Sequence, residues 1–347
     1  MAHALDMAPV LGPDLVDDIS AALGQPVAAA SYVTSGAAGH VFRLTLGGPD
    51  DVAAQDDDAT TNNNGSARKT LSPELSVQVH DDEPEWGGPV IPKTVIVKTA
   101  RPERPADFQG EARGLELIAC TTTVPTPKVL AVAPEFLVLQ DLGINPNQPT
   151  DQQWWEFGMQ IGKLHSIEGN RFGHLGDDGA KYYDDWVEFF VDNRVRNLFE
   201  LGRNKEVLTD DDKAGIESII ETIGPKVPPT KPMLCHGDLW WENVYLGADS
   251  KLYLIDPAID YSHPEADLAP TQMYTKFPPA FYEGYRTTKA LPGDWETRIP
   301  LYQLKEQLYM IAQFAHEGSL NTLRANIRKC RAGSLGFDKL NHRSQMP

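Results

Sequence analysis

The sequence predicts an α+β protein of two lobes, a first lobe of about five antiparallel strands with a helix and a second lobe that is mostly helical. Three observations lead to this prediction. A chain of 347 residues has the length of two domains, and 41% hydrophobic residues are enough for their cores. Short apolar runs bounded by turn residues fill residues 1–143. Helical spacing of apolar side chains dominates residues 144–347, so we place the domain boundary between these ranges.

The overall charge and the cysteines exclude several classes of protein. A net charge of −18 argues against nucleic acid or an anionic membrane as the main partner. Cys120, Cys235 and Cys330 are too unevenly spaced for a disulfide framework or a Cys-pair zinc site. The first residues lack the basic flank and apolar core of a signal peptide, and no apolar run approaches 18 residues. We therefore expect a cytoplasmic protein.

The chain opens with a helix and two strands around a loop of small residues. Helical spacing covers residues 14–23, and Gly24 ends the helix. Residues 27–33 and 40–46 read as strands. Backbone N–H groups of a small-residue loop can approach phosphate oxygens because no large side chain blocks them. The candidate phosphate contacts are Gly36, Ala37, Ala38 and Gly39.

A segment of different composition follows at about residues 48–92. It contains ten acidic and two basic residues, with runs of Asp and Asn. Such a composition buries too little apolar surface to offset the entropy lost on ordering. We predict a disordered or loosely tethered acidic insertion.

After the insertion, the predicted ordered lobe continues with a strand that contains a lysine and a helix that contains a glutamate. The apolar strand 94–98 ends on Lys98, and Glu111 lies in a predicted helix over 108–118. A strand lysine paired with a helix glutamate is how kinases hold the α- and β-phosphates of ATP. We take the two residues as a candidate nucleotide-binding pair.

Two further strands, 124–132 and 135–142, complete the predicted sheet. The second leads into a hinge, where backbone groups could hydrogen-bond an adenine and Gly143 would let the chain turn. The candidate adenine contacts are Gln140, Asp141 and Leu142.

Helices account for most of the second lobe. Thr150 and Gln153 form a predicted capping box that opens the first of them. A short strand at 233–235 leads to the central motif. The predicted helices cover 151–165, 182–198, 210–223, 279–285 and 300–316.

The central motif joins a carboxylate, a carboxamide and a second carboxylate. Asp238 is followed five residues later by Asn243, and Asp256 comes after an apolar run. In kinases one Asp accepts the proton of the attacking hydroxyl, while an Asn and a second Asp hold Mg²⁺. The loop, Lys98, Glu111 and this motif follow one another in kinase order. The sequence therefore predicts a protein-kinase-like fold that uses ATP and Mg²⁺.

Longer sequence motifs indicate one particular family among proteins with a kinase-like fold. His-Gly-Asp-Leu-Trp with Asn243 at 236–243, Ile-Asp-Pro-Ala at 255–258 and His-Pro-Glu-Ala-Asp-Leu-Ala at 263–269 resemble the fructosamine kinase (ketosamine 3-kinase) family. This family lies in the aminoglycoside-phosphotransferase-like branch of the kinase fold. The match is dense over about 234–308 and sparser before.

The resemblance implies roles for individual residues. Asp238 would be the catalytic base, Asn243 and Asp256 would be Mg²⁺ ligands, and Lys98 with Glu111 would anchor phosphates. It also implies a substrate, a free or protein-bound fructosamine or ribulosamine, which is phosphorylated on a sugar hydroxyl in protein deglycation. The oligomeric state is not implied.

Two tryptophans are candidate substrate contacts. The aromatic face of Trp240 suits the apolar C–H side of a sugar, and a packing role is the alternative. Trp241 and Glu242 stand where the family commonly has small residues, so they would add bulk close to the substrate.

Two other functions remain open at this point. The acceptor could be an aminoglycoside, a choline-like alcohol or another small metabolite. The chain could also be a pseudokinase-like binding module without catalysis. The chain keeps all of the candidate catalytic, metal-binding and phosphate-binding residues, which disfavours the binding module. Absence of the His-Arg-Asp and Asp-Phe-Gly motifs disfavours a eukaryotic-type protein kinase.

Overall fold

The computed structural model describes residues 9–35, 39–47, 92–101, 106–175, 181–204 and 206–331. The phosphate-loop candidates Gly36, Ala37 and Ala38 and nearly all of the acidic insertion, 48–91, lie outside these ranges. The chain divides into two units. The first contains Met1–Glu116 and Pro127–Gly143, and the second contains Leu117–Thr126 and Ile144–Pro347.

The first unit is built on a five-stranded antiparallel sheet, as predicted. Its strands are β1 (Val27–Ser35), β2 (Gly39–Leu46), β3 (Thr94–Ala100), β4 (Val129–Val132) and β5 (Phe136–Gln140). They lie in the order β1-β2-β3-β5-β4, and every neighbouring pair is antiparallel.

One helix packs on each face of this sheet. Successive side chains of a strand point to opposite faces, so β5 contributes side chains to both faces of the sheet. Val138 of β5 joins the apolar cluster around Ile19 of α1 (Pro13–Leu23). Leu139 of β5 instead joins the cluster around Phe108 of α2 (Phe108–Thr121). The continuous apolar run of β5 thus contributes to two separate cores.

The strand predicted at 124–132 is shorter in the structure. Only Val129–Val132 pairs with the sheet. Pro125 and Pro127 lack the N–H that a strand ladder requires. The Pro125 carbonyl instead accepts a hydrogen bond from the Leu254 N–H at 2.8 Å.

Helices make up most of the second unit, as predicted. The helices are α3 (Asp151–Leu164), α4 (Trp186–Phe189), α5 (Asn197–Arg203), α6 (Asp210–Ile220), α7 (Pro264–Leu268), α8 (Pro279–Arg286), α9 (Ile299–Phe314) and α10 (Glu317–Arg331). The predicted capping box opens α3, where Thr150 and Gln153 each accept the other's backbone N–H. None of the described helices combines the length and hydropathy needed to cross a bilayer.

α3 and α8 approach each other through glycines. A Cβ on Gly158 of α3 would lie 1.9 Å from the Phe281 carbonyl oxygen, and a Cβ on Gly284 of α8 would lie 1.9 Å from the Trp155 carbonyl oxygen. Both distances are far inside van der Waals contact. The two helices therefore pack backbone to backbone at this crossing.

The helix predicted at 182–198 is interrupted. Asp185 caps α4, accepting a hydrogen bond from the Glu188 N–H, so the helix begins later than predicted. A π-helical segment, Phe190–Arg196, separates α4 from α5. Its wider turns bring Arg194 into an ion pair with Asp260, a long-range contact that the helical pattern could not predict.

Short strands frame the central motif. They are β6 (Gly173–His174), β7 (Met233–Cys235), β8 (Val244–Leu246), β9 (Leu252–Leu254) and β10 (Asp260–Ser262). β6, β10 and β7 form a three-stranded sheet in that order, and β8 with β9 forms a hairpin. The motif residues 236–243 lie between β7 and β8.

Candidate active site

The predicted catalytic loop is held by a close backbone approach at its start. Gly237 has a φ of +84°, in the left-handed region. A Cβ at this position would lie 1.9 Å from the Ala258 carbonyl oxygen, and the Ala258 N–H donates to the His236 carbonyl at 2.9 Å. Both the conformation and the space require glycine, which explains the Gly in His-Gly-Asp.

Asp238 and Asn243 are in direct contact. The side-chain amide of Asn243 donates to the backbone carbonyl of Asp238 and to its Oδ2, each at 2.8 Å. Asn243 is buried. The amide group thus fixes the carboxylate, and the remaining Asn243 Oδ1 is the atom available to a metal ion.

The β8–β9 hairpin brings Asn243 and Asp256 to the same end. Val244 pairs with Leu254, and the Ile255 N–H donates to the Asn243 carbonyl at 3.0 Å. Asp256 has a φ of +55°, a conformation that is uncommon for non-glycine residues and is concentrated at functional sites. A carboxamide and a carboxylate oxygen are ligands that Mg²⁺ prefers, so this donor set fits Mg²⁺.

His236 links the two loops. Burial lowers the pKa of His236, so the imidazole is neutral near pH 7. Its Nε2 lies 2.9 Å from the Ile255 carbonyl oxygen, to which a neutral ring donates. The side chain thus ties the Asp238 loop to the segment that contains Asp256.

Asp267 of α7 braces the catalytic loop. Its carboxylate accepts hydrogen bonds from the His236 N–H at 2.8 Å and the Gly237 N–H at 2.9 Å. Its Oδ2 also lies 3.0 Å from His165 Nε2. Burial alone would raise the pKa of Asp267, but these partners hold it below its usual range. In the sequence Asp267 is only a member of the 263–269 motif, and its position there did not show that it supports the loop of Asp238.

The same region contains a group of possible metal ligands. One ligand atom from each of His165, Cys235 and Asp267 lies within 4.8 Å of the others. His165 is, however, already bonded through Nδ1 to the Tyr285 hydroxyl at 2.9 Å and through Nε2 to Asp267. Burial raises the pKa of the Cys235 thiol well above its ordinary value, which disfavours the thiolate that binds metals. We interpret the group as a structural brace.

Two residues of α9 that sequence reasoning missed lie next to Asp238. Lys305 Nζ donates to the Gly237 carbonyl at 2.6 Å and lies 2.9 Å from Glu306 Oε1. Both side chains are largely buried, with 19% and 13% of their surface exposed. A cation therefore holds the peptide bond that precedes Asp238.

These neighbours set the acidity of Asp238. Burial raises the pKa of the Asp238 carboxyl to about 7, and the negative charge of Glu306 acts in the same direction. The charge of Lys305 and the hydrogen bond from Asn243 oppose this shift. A carboxyl pKa near neutrality suits a group that accepts a proton at neutral pH.

The two predicted substrate tryptophans lie in different environments. Trp240 is half-buried and meets Tyr274 edge to face, with ring centroids 5.9 Å apart. Trp241 stacks on Trp154 at 5.6 Å and packs against the apolar cluster that contains Phe281. Core packing accounts for Trp241, so we retain only Trp240 as a candidate substrate contact.

The first unit brings the predicted lysine and glutamate together. Lys98 Nζ lies 2.6 Å from Glu111 Oε1, and each side chain is 12% exposed. Their spacing in the sequence predicted this pairing, which joins β3 to α2. A role in binding phosphates stays a prediction.

Part of the predicted adenine-binding segment is already hydrogen-bonded within the sheet. The Gln140 N–H donates to the Lys128 carbonyl at 2.9 Å, so this N–H is not available to an adenine. Asp141 forms an ion pair with Arg43 at 2.7 Å and accepts the Gly143 N–H at 2.9 Å. Gly143 has a φ of +71°, which gives the turn predicted there.

Comparison with known sequences identifies similar proteins. The family model described as "Fructosamine kinase" matches residues 90–331. A relative from Escherichia coli (strain K12), named "Probable ketoamine kinase YniA", is 34% identical over 222 residues, which are 60% of this chain and 76% of that protein. A Synechocystis relative named "Probable ketoamine kinase slr1563" is 30% identical over 209 residues, 57% of this chain and 70% of that protein.

Comparison with solved structures gives the fold. A Thermobifida fusca protein with the provisional name fructosamine-3-kinase superposes with a TM-score of 0.67 and 23% identity, over 90% of this chain and 98% of that one. A gentamicin complex of APH(2")-IIa has a TM-score of 0.57 and 14% identity, over 92% and 97%. At these identities the structural likeness shows the kinase-like fold alone.

Proposed function

The chain belongs to the fructosamine kinase family, and on that premise we propose that it transfers the γ-phosphoryl group of ATP to a sugar hydroxyl of a ketosamine. The observation that carries the proposal is the Asp238 carboxyl, which the Asn243 side chain holds at 2.8 Å and which sits beside the Asp256 segment. A base and two oxygen ligands in this order are the protein groups that phosphoryl transfer needs.

Asp238 acts as the general base in this proposal. It accepts the proton of the attacking hydroxyl as the oxygen approaches the γ-phosphorus. A pKa of about 7 makes the carboxylate a stronger base than an exposed aspartate while leaving much of it ionised at neutral pH. Asn243 and Lys305 keep the loop in position, so most of the rate gain would come from orientation and electrostatics.

The nucleotide would be bound by groups of the first unit. Lys98, held by Glu111 at 2.6 Å, would bind the α- and β-phosphates, and the backbone of residues 36–39 would cover them. Backbone groups from Asp141 onward would bind the adenine. Mg²⁺, held by Asn243 and Asp256, would supply positive charge to the phosphate oxygens when bound.

A ketosamine is the favoured acceptor because two relatives at 30–34% identity carry the name ketoamine kinase. Trp240 supports a sugar acceptor, since its half-buried ring lies two residues after the base. The net charge of −18 suits a cationic amine more than an anionic substrate. The ketosamine could be free or attached to a protein.

The test is ADP release from Mg·ATP with five acceptors, namely fructose-lysine, ribulose-lysine, a glycated protein, kanamycin and choline. Asp238→Asn serves as the blank, because the amide keeps the shape of the side chain and removes the base. We expect turnover on the ketosamines and a loss of about 10²–10⁴-fold in kcat for Asp238→Asn, with an unchanged melting temperature.

Three results would contradict the proposal or a part of it. Turnover on kanamycin or choline alone would assign the chain to another acceptor. ATP binding without turnover on any of the five would favour a non-catalytic binding module. Retained turnover in Asp238→Asn would remove Asp238 from the mechanism.

A further inference from the structure

Tyr274 has a backbone conformation that is unusual for its residue type. Its φ is +48°, in the left-handed region that large side chains rarely adopt. Among the non-glycine residues described with a positive φ, it is the only aromatic one; the others are Glu206, Ser250, Asp256 and Ala315. Such outliers persist where the surrounding structure imposes them, and they cluster at functional sites.

The loop around Tyr274 imposes this conformation. The Met273 N–H donates to the Pro270 carbonyl and the Phe277 N–H donates to the Thr271 carbonyl, each at 2.9 Å. Phe277 is buried and packs on Trp154, with ring centroids 4.8 Å apart. Hydrogen bonds and core packing thus fix the loop on both sides of Tyr274.

The loop presents the ring of Tyr274 to solvent. Tyr274 is 62% exposed, whereas Phe277 is 3% exposed. Burial of an aromatic ring stabilises a folded protein, and an exposed ring does not contribute this free energy. The fold therefore gains little stability from an aromatic residue at position 274. A strained, exposed aromatic side chain is better explained by a ligand than by packing.

The ring of Tyr274 meets Trp240 close to the catalytic base. The centroids of the two rings are 5.9 Å apart and their planes make an angle of 63°. Trp240 is two residues after Asp238, and the residue between them, Leu239, is completely buried in the apolar core. Asp238 and Trp240 therefore flank a side chain that points inward, and the two rings form a corner that begins two residues after Asp238 in the chain.

We propose that Tyr274 is a substrate-binding residue that contacts the positively charged amine of the acceptor. The inference rests on the proposed ketosamine kinase function and deepens it. A ketosamine has an apolar C–H face on its sugar and, one carbon from the ring, a secondary amine that is protonated at neutral pH. A corner of two aromatic faces matches these features, with the sugar on Trp240 and the cation on Tyr274.

Two variants distinguish the effect of the Tyr274 ring from the effect of the loop conformation. Tyr274→Phe keeps the aromatic face and removes the hydroxyl. Tyr274→Asn removes the ring, and Asn tolerates the left-handed conformation better than other non-glycine residues, so this variant should fold. Tyr182→Leu is the control, because Tyr182 is 40% exposed and lies outside the catalytic loop.

The experiment measures KM and kcat for fructose-lysine and for its ether analogue, in which an oxygen replaces the amine nitrogen. We expect Tyr274→Asn to raise KM for fructose-lysine about 3- to 30-fold, the range that a cation–π contact supports. The expected kcat stays within about threefold, and the melting temperature stays equal or rises. Tyr274→Phe and Tyr182→Leu should match the wild type, and KM for the ether analogue should change much less.

Other results would overturn the inference. An unchanged KM in Tyr274→Asn would show that the ring does not touch the acceptor. An equal rise in KM for the amine and the ether would show a contact that does not depend on the cation. If the wild type turns over no ketosamine, the proposed function fails first, and the inference falls with it.

Discussion

At the scale of single residues, the chemistry of Asp238 depends on one side chain of its own motif and on two that are distant in the sequence. Asn243 holds its carboxylate, Lys305 holds the carbonyl of the preceding residue, and Glu306 adds negative charge. Burial is the main cause that raises the pKa of Asp238 to about 7, and the charges of Glu306 and Lys305 act on it in opposite directions. The candidate base is thus identified from its local motif, while its acidity depends on burial and on residues of α9.

Replacement of Lys305 should both slow the reaction and destabilise the fold. Lys305→Met removes the donor to the Gly237 carbonyl and the charge that favours ionised Asp238. Leaving a buried carbonyl without its partner costs about 1–3 kcal/mol, and we expect kcat to fall by roughly 10- to 100-fold. Steady-state kinetics together with thermal unfolding measure this.

The matched control is Lys231→Met. Lys231 is 70% exposed and pairs with Glu168 on the surface, and such pairs contribute little. A Lys305→Met enzyme with a kcat as high as that of Lys231→Met would show that α9 does not support the catalytic loop.

At the scale of the elements, α3 and α8 are joined where their glycines meet. The hydrophobic cluster around Trp154 and Phe281 surrounds this crossing, and the same cluster contains Leu239 of the catalytic loop. Packing of these two helices therefore determines the surface on which the loop rests.

Gly158→Ala should destabilise the protein. The added methyl would lie 1.9 Å from the Phe281 carbonyl oxygen, so the helices would have to move apart. Overpacking of this kind typically costs about 1–3 kcal/mol. Urea unfolding measures the loss, and Gly293→Ala is the control because a Cβ there would have no neighbour within 4 Å. Equal unfolding free energies for the two variants would contradict the close approach.

The contact between α6 and α10 should make stability depend on pH. Asp212 caps α6 through Thr209 and forms two hydrogen bonds with Arg324 of α10, each of 2.9 Å. Burial would raise the pKa of Asp212, but the bonds from Arg324 and Thr209 lower it overall. A carboxyl whose pKa is lower in the folded state stabilises the fold above its unfolded pKa of about 3.9, and the contribution is lost as the pH falls through the folded value.

We therefore expect Asp212→Asn to reduce the free energy of unfolding at pH 7 by about 1–2 kcal/mol. The difference from the wild type should shrink at pH values below about 4. Urea unfolding across this range measures it, with Asp210→Asn as the control, since Asp210 is 93% exposed. A difference that stays constant with pH would show that the charge of Asp212 is unimportant.

At the scale of the whole molecule, the acidic insertion leaves and re-enters the sheet at adjacent points. The Leu46 N–H donates to the Lys93 carbonyl at 2.9 Å, and Thr45 of β2 pairs with Thr94 of β3. Antiparallel neighbours of this kind can be joined by a short turn. The sheet pairing therefore does not need a long connection.

Deletion of residues 50–85 should leave turnover nearly unchanged. The remaining residues are enough to connect β2 to β3, and shortening a long connection costs little or no stability. Measurement of kcat and of the melting temperature on the deleted chain tests this. A large fall in kcat at an unchanged melting temperature would show that the insertion belongs to the active site.

Much of the fold follows from local sequence patterns. Short apolar runs predicted the strands and helical spacing predicted most helices, because both patterns are properties of short segments. The prediction failed where other groups decided the structure, at the prolines before β4 and at the π-helical segment that brings Arg194 to Asp260.

The candidate site was likewise predicted only in part from the sequence. Residues within one motif, such as Asp238 and Asn243, were found from their spacing. Lys305 was not, because a lysine beside the apolar residues of α9 is typical of a solvent-facing position, and 68 residues separate it from Gly237. The corner of Trp240 and Tyr274 depends on a backbone conformation that residue types alone do not specify.

The long-range support of the catalytic loop also has a consequence for protein synthesis. A ribosome adds about 5–20 residues per second, and Lys305 is the 68th residue after Gly237. Lys305 is therefore added roughly 3–14 s after Gly237 at that rate. During this interval the nascent chain contains the complete His-Gly-Asp motif but lacks the helix that supports it, so we expect the loop to take its final position only after α9 has been synthesised.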